Sequence, residues 1–489
     1  MAELGFGIMR FRSEYEWDTN DIQSIIDEYM CGDFCYFDLH PAYCNGMSQK
    51  IFKRCVCDVY DRSRFLVANK MPYYGINSYD DYEKIILGEL QECGVKYFDY
   101  YMLHCIEQTS YLYHKKNGGF VFLKEAQEKG LAKKIGFSFH GTPELLELIL
   151  QEFDYIEFVQ LQVNFVDWLC EEINSKKCYE IARRYNKEIL VMEPIKGGTI
   201  SKQIECANIK YSISEMADLS LRFIAGLDGV KIVLSGMTEI EHVKCNRVSI
   251  KDEPVSYDYF SDILSAFNSD NLIQCTKCEY CKRECKRNVN IPAIISVLNE
   301  CVKKAGEGIS RLPISYYYYK TLVNSKSDAS KCIQCGLCER HCPQKIRIRE
   351  FMNIANEIFN NSLEIIMQKK DIYLSKIRYI SEKKEFIKYD ELYSGKKVYA
   401  YGAGNIFGIF SDELKKLNIV GVIDRDKDKQ GKIINGIKCV DISEVDKESF
   451  IVITVDKAEV IKDISISLKL LGYENFEVYS KTLVYMSGE

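Results

Sequence analysis

Eight cysteines near the middle of the chain fall into two runs. The first, CTKCEYCKREC, carries Cys275, Cys278, Cys281 and Cys285; the second, CIQCGLCERHCP, carries Cys332, Cys335, Cys338 and Cys342 ahead of Pro343. Both have the C-x2-C-x2-C-x3-C spacing that holds 4Fe–4S clusters, and the second keeps the trailing proline. Three closely spaced thiolates reach three irons of one cube, and a more distant cysteine takes the fourth. In two-cluster proteins that fourth cysteine belongs to the other run. The expected sets are Cys275, Cys278 and Cys281 with Cys342, and Cys332, Cys335 and Cys338 with Cys285. Structural zinc is the alternative, but it takes its four thiolates as two separated C-x2-C knuckles.

A second group with chemical potential lies in the first half. Asp38 closes an apolar stretch, Tyr43 follows five residues later in FDLHPAY, Lys70 ends FLVANK, and His104 ends YFDYYMLH. Each alone reads as a loop cap or as packing. Together they suit proton transfer. A lysine beside a tyrosine favours tyrosinate and lowers the phenol pKa, and an aspartate keeps that lysine charged. The tyrosine can then protonate a carbonyl oxygen as hydride reaches the carbon, with the histidine orienting the carbonyl.

The elements that must position these residues are short apolar strands alternating with amphipathic helices from Leu4 to about Asn246. The expected strands are residues 4–8, 35–39, 65–70, 97–104, 133–138, 156–161, 188–193 and 230–235, with helices such as 78–93 and 143–153 between them. Eight strand–helix units over ~250 residues predict a (β/α)8 TIM barrel, with its site at the C-terminal strand ends.

At 489 residues the chain has room for about three domains at ~150 residues each. It is 47% hydrophobic with a formal net charge of −6, which argues against nucleic acid as main partner. Neither a secretory leader nor an apolar run of ~18 residues is visible. With 21 cysteines and no leader, the thiols are expected to be reduced, in a cytoplasmic protein with no membrane partner.

Residues 4–246 resemble the aldo/keto reductases through GFGIMR, YFDLHPAYCNG, the strand ending in Lys70, DYYMLH, GFSFH, QLQVN, VMEPIKGG and VLSGM. The resemblance implies Asp38, Tyr43, Lys70 and His104 as catalytic tetrad, with Tyr43 the proton donor. It implies NAD(P)H across the barrel mouth and a small carbonyl or alcohol as substrate. Ser138, His140 and Gln162 match positions that hold the nicotinamide amide. Ser235, Gly236 and Met237 match the loop around the phosphates, and Asn246 a residue near the adenine. The chain departs from the family at His242 and Cys245, where arginine and glutamate are common, so the choice between NADH and NADPH stays open. It also has Leu39 and His40 where a small Thr-Ala pair is common.

The cysteine runs stand 57 residues apart, Cys275 to Cys332, and the segment between them reads as helical. This predicts a helical two-cluster ferredoxin module; aldo/keto reductases carrying one form a recognisable subgroup, which this chain resembles. The clusters could serve a redox partner protein, sense redox state or brace the fold. Farther on, a strand at 397–401 meets Gly402, Gly404 and Gly408, and a second strand ends at Asp424. A glycine turn opening a helix and a distal acid predict a Rossmann-like domain. Its tail resembles small domains attached to sugar-modifying transferases, which implies a nucleotide-sugar ligand. The expected domains are 1–250 (barrel), 251–370 (cluster module), 371–394 (helical linker) and 395–489 (Rossmann-like).

Overall fold

The structure is a computed structural model. It describes residues 2–11, 19–72, 75–170, 173–200, 211–267, 273–302, 312–382, 396–404, 407, 419–455 and 458–478. The chain divides into two compact units, Met1–Asp270 and Asn271–Glu489.

In the first unit eight parallel strands close into a barrel: β1 (Glu3–Gly7), β2 (Tyr36–Asp38), β3 (Leu66–Met71), β4 (Phe98–Ile106), β5 (Ala132–Phe139), β6 (Phe158–Gln162), β7 (Glu188–Met192) and β8 (Val230–Ser235). This is the expected (β/α)8 architecture, with strand ends displaced by at most two residues. Side chains alternate along each strand. Phe37, Val67, Tyr101, Leu103 and Val159 join the large core that also holds the helix residues. Tyr36, Ala68, Tyr100, Met102, Phe158, Leu190, Ile232 and Leu234 form a separate cluster that fills the barrel. Tyr100 meets Tyr36 and Phe158 edge to face, at 5.3 and 5.0 Å between centroids. Phe158 also explains Gly136 beside it on β5: a Cβ there would lie 2.3 Å from the Phe158 carbonyl oxygen.

The helices begin and end where local chemistry directs. Helix Asp80–Cys93 has Asp80, Asp81 and Glu83 in its first turn and stops at Gly94, whose φ of 72° is left-handed. Helix Pro143–Glu152 is capped by the Thr142 side chain, which accepts from the Leu145 N–H. Helix Ile213–Ala225 opens on a capping box between Ser212 and Glu215. One expected boundary is displaced. Residues 251–267, expected to begin the cluster module, belong to the barrel unit, because Phe260 and Ile263 join its core and Phe260 stacks on Phe165 at 4.1 Å.

In the second unit, helices Ile291–Val302 and Leu312–Asn324 separate the cysteine runs, as the helical reading requires, and Ile348–Phe359 follows them. Cys301 is buried within the first of these helices. Helix Lys370–Glu382 begins the expected linker; residues 383–395 lie outside the described residues. The C-terminal sheet comprises β9 (Val398–Tyr401), β10 (Ile419–Ile423), β11 (Ile433–Ile434), β12 (Ile437–Val440), β13 (Phe450–Ile453) and β14 (Phe476–Val478). Strands β12-β10-β9-β13-β14 run parallel in that order, and β11 pairs antiparallel with β12 at the edge. Ile333, between two cysteines of the second run, packs with Tyr401, Ile423 and Ile453 in this sheet's core, and Cys335 lies against the same cluster.

One buried acid makes the barrel pH-sensitive. Glu89 accepts from the Tyr101 hydroxyl at 2.7 Å, and burial pushes its carboxyl up to about 8, opposed by that bond and by Lys70. The native state therefore holds a proton that the unfolded chain loses above pH ~4.3. Stability falls as pH rises from there to about 8, by roughly 1.4 kcal/mol per unit, then levels off. Glu89→Gln should remove this slope in urea unfolding at pH 5 and pH 8; equal slopes in parent and variant would contradict it.

Candidate active site and cysteine-rich site

The inward alternation that places Tyr36, Ala68 and Met102 inside the barrel places Asp38, Lys70 and His104 two residues farther along β2, β3 and β4. These are neighbouring strands, in register at Asp38–Ala68 and Lys70–Met102. The three residues and Tyr43 are all buried. Lys70 Nζ donates to Asp38 Oδ2 at 2.5 Å and to the Leu39 carbonyl at 2.9 Å. It also lies 4.8 Å from the centroid of the Tyr43 ring. Burial pulls the Lys70 ammonium below the usual lysine range, and Asp38 opposes that shift. Burial likewise raises the Asp38 carboxyl against the pull of Lys70. Each charge is tolerable only because the other is there.

Strained backbone flanks both other members. Tyr43 opens a turn in which Cys44 and Asn45 are left-handed, at φ 52° and 54°. His104 precedes Cys105, at φ 56°, where the pairing of β4 with β5 shifts between Leu103 and Ile106. Such a bulge re-aims a strand-end side chain. The Tyr43 and His104 rings stand 6.3 Å apart, nearly perpendicular.

The residues matched to the nicotinamide amide end β5 and β6 or follow them. Ser138 Oγ accepts from the Cys105 N–H at 2.7 Å, which ties it to the histidine's bulge. His140 donates its N–H to the Ile106 carbonyl. Gln162 Nε2 donates to Asp167 Oδ2 at 2.7 Å. Asn246 Nδ2 donates to Ser235 Oγ at 3.0 Å, so these two bond to each other. Met237 is buried, and the stem of Arg10 lies where a Cβ on Gly236 would be.

A second buried network escaped the sequence reading. Asp167 accepts from Gln162, from Asn164 Nδ2 at 2.8 Å and from Lys196. Asn164 also donates to the Glu193 carbonyl, and Glu193 pairs with Arg10 at 3.0 Å. Glu193 and Lys196 are both left-handed, at φ 57° and 51°. The motifs QLQVN, VMEPIKGG and GFGIMR include Gln162, Asn164, Glu193, Lys196 and Arg10, but Asp167 lies in none of them.

The cysteines come together across the two runs. The Cys281 thiol is raised by burial and then by Cys342, Cys278 and Cys275 beside it. Burial pushes Cys342 up to about 11, with Cys275 adding to it. Cys332 is pushed up to about 12, by burial first and by Cys335 and Cys285 beside it. Cys338 is raised by burial and next by Glu339, Cys332 and Cys335. The residues suit clusters in other respects. Gln334 Nε2 donates to Cys332 Sγ at 3.2 Å and the Val289 N–H to Cys285 Sγ at 3.4 Å, the kind of bond that tunes cluster sulfurs. Left-handed Lys277, Glu279, Gln334 and Gly336 fold the runs tightly. Among the described residues no three His, Cys, Asp or Glu side chains stand close enough to hold a single metal ion. Thiolates on a cluster each bind a different iron, so they are spaced farther apart than those of a zinc knuckle.

In the C-terminal sheet, strand order reverses between β9 and β13, and Gly402 follows β9 at φ 111°. A Cβ there would lie 2.8 Å from Val455 Cγ2. Gly404 is in the same turn, whereas Gly408 lies outside the described residues. The Asp424 carboxylate accepts from the Ala403 N–H at 2.9 Å, the Asp426 N–H at 2.9 Å and Lys429 Nζ at 3.1 Å. Burial raises Asp424, but these donors outweigh it and hold it below the usual carboxylate range. The distal acid thus closes the glycine turn itself.

A closed parallel barrel thus carries Asp38, Lys70, Tyr43 and His104 buried together at its strand ends. The family model described as "Aldo/keto reductase family" matches residues 3–266, and the chain belongs to that family. The "4Fe-4S binding domain" model matches residues 326–347, and "C2185-like, N-terminal" matches 394–479. No curated protein matches the chain. Among solved structures, an aldo-keto reductase from Bacillus halodurans in its holo form is 16% identical, covering 55% of this chain and 91% of that one, with a TM-score of 0.43. An aldo/keto reductase from Klebsiella pneumoniae, in complex with NADP and acetate, is 13% identical over 54% and 90%, with a TM-score of 0.41. No helix among the described residues is long and apolar enough to cross a membrane.

Proposed function

We propose that the chain is an NAD(P)H-dependent carbonyl reductase or alcohol dehydrogenase of the cytoplasm, acting on a small carbonyl or alcohol. One observation carries this reading: Lys70 is buried between Asp38, at 2.5 Å, and the ring of Tyr43, at 4.8 Å. The nicotinamide, when bound, supplies or takes the hydride at the substrate carbon. In reduction the Tyr43 hydroxyl gives its proton to the carbonyl oxygen, the Lys70 charge stabilises the phenolate left behind, and Asp38 keeps that charge in place. His104 orients the carbonyl, and burial of all four keeps water from competing. In this reading Ser138, His140 and Gln162 hold the nicotinamide amide, Ser235, Gly236 and Met237 face the phosphates, and Asn246 lies near the adenine. Tyr43→Phe should lower kcat with a small aldehyde by about 10²–10⁴-fold and leave NADPH affinity, read by fluorescence quenching, unchanged. Full activity in that variant removes Tyr43 from the reaction.

We further infer two 4Fe–4S clusters, on Cys275, Cys278, Cys281 and Cys342, and on Cys332, Cys335, Cys338 and Cys285. The crossed proximity of Cys281 to Cys342 and of Cys332 to Cys285 supports this pairing. When bound, the clusters carry single electrons, for a redox partner protein or as a sensor. Anaerobically purified protein should contain about eight irons per chain, and Cys342→Ser should change one EPR signal and spare the other. Four irons or fewer, or zinc, would contradict the assignment.

The strand reversal beside Gly402, Gly404 and Asp424 supports a Rossmann-like domain whose crevice takes a nucleotide or nucleotide-sugar. Calorimetry of the full chain with a uridine diphosphate sugar should give saturable heat; none with any nucleotide would remove that reading.

A further inference from the structure

We propose that His40 is a positioning residue for both Tyr43 and His104, an inference that rests on the catalytic reading of those two residues. His40 is fully buried two residues past β2, where the family pattern has a small residue. Hydrogen bonds and ring contacts tie it to both residues. Its carbonyl accepts from the Tyr43 N–H at 3.0 Å. Its ring Nδ1 accepts from the Ala42 N–H at 3.1 Å. Its ring lies 3.9 Å from that of His104 at 36°, and 5.1 Å from that of Tyr43.

These contacts have distinct consequences. Because Nδ1 accepts, the proton of the neutral ring is on Nε2. A neutral ring sets the plane of its neighbour without adding a second positive charge near Lys70. His104 needs such support, since the register of β4 with β5 is broken just beyond it and strand pairing alone does not fix its direction. An alanine methyl would leave a gap on that face of His104, and the ring would gain rotational freedom. His40 therefore couples the turn that carries the proton donor to the ring that orients the carbonyl.

Three variants separate the contacts. His40→Phe keeps a flat ring, His40→Asn keeps an acceptor for the Ala42 N–H, and His40→Ala keeps neither. With 4-nitrobenzaldehyde and NADPH as probes, kcat should fall about tenfold or more in the Ala and Asn variants, with the KM for NADPH unchanged. The Phe variant should recover to within about threefold of the parent. The His104 ring-proton resonance, assigned among the chain's six histidines, should keep its ring-current shift in the Phe variant and lose it in the other two. An Ala variant with parental kcat and an unmoved His104 resonance overturns the proposal, as does a Phe variant as slow as Ala. If the parent reduces no carbonyl probe, the catalytic reading fails by itself. The resonance then decides the role of His40: displacement in the Ala variant supports it, and an unmoved signal overturns it.

Discussion

The buried pair of Lys70 and Asp38 is the contact on which the rest of the barrel mouth depends. Neither charge is sustainable alone: an unpaired ammonium or carboxylate at that depth would give up its charge, and breaking such a pair commonly costs about 3–5 kcal/mol. The pair exists because β2 and β3 are neighbours whose inward residues are staggered by the tilt of a closed barrel. Aromatic packing beneath it, Tyr36 against Tyr100 against Phe158, fixes that stagger. Tyr43 and His104 are then added on backbone that strand pairing no longer controls, a left-handed turn and a bulge. The proposed chemistry thus sits where regular strand pairing is interrupted or has ended, beside the Lys70–Asp38 ion pair.

The second unit poses a different problem of electron count. Clusters move one electron at a time, whereas the chemistry proposed for the barrel moves two as hydride. The two activities need not be joined for the chain to make physical sense. The cysteine runs fold together through their own helices, and the second run also packs Ile333 into the core of the C-terminal sheet.

Much of this was legible from residue order. The strands are short apolar runs separated by helix-length segments, and a polar residue ending such a run, as Asp38, Lys70 and His104 do, stands out against its neighbours. The cysteine spacing was legible because three of the four thiolates expected on each cluster lie within seven residues, whereas the fourth comes from the other run. What sequence hid is what depends on long-range approach. Asp167 and Lys196 are 29 residues apart and Arg10 and Glu193 are 183 apart, with no spacing rule to join them. Residues 251–267 are expected to begin the cluster module, yet Phe260 and Ile263 join the core of the barrel. Asp424 was recognisable as a strand-end acid, but not its commitment to the Ala403 and Asp426 amides.

The central claim is that the barrel moves hydride directly between nicotinamide and substrate, with the proton supplied at Tyr43. It is tested most directly by single-turnover reduction of an aldehyde with NADPH carrying deuterium at the transferable C4 position, under anaerobic conditions. Direct transfer predicts one deuterium on the carbinol carbon of the product, with the cluster spectrum unchanged during turnover. An alcohol free of deuterium, formed as the clusters reduce and reoxidise, would contradict the account and assign the chemistry to electron transfer.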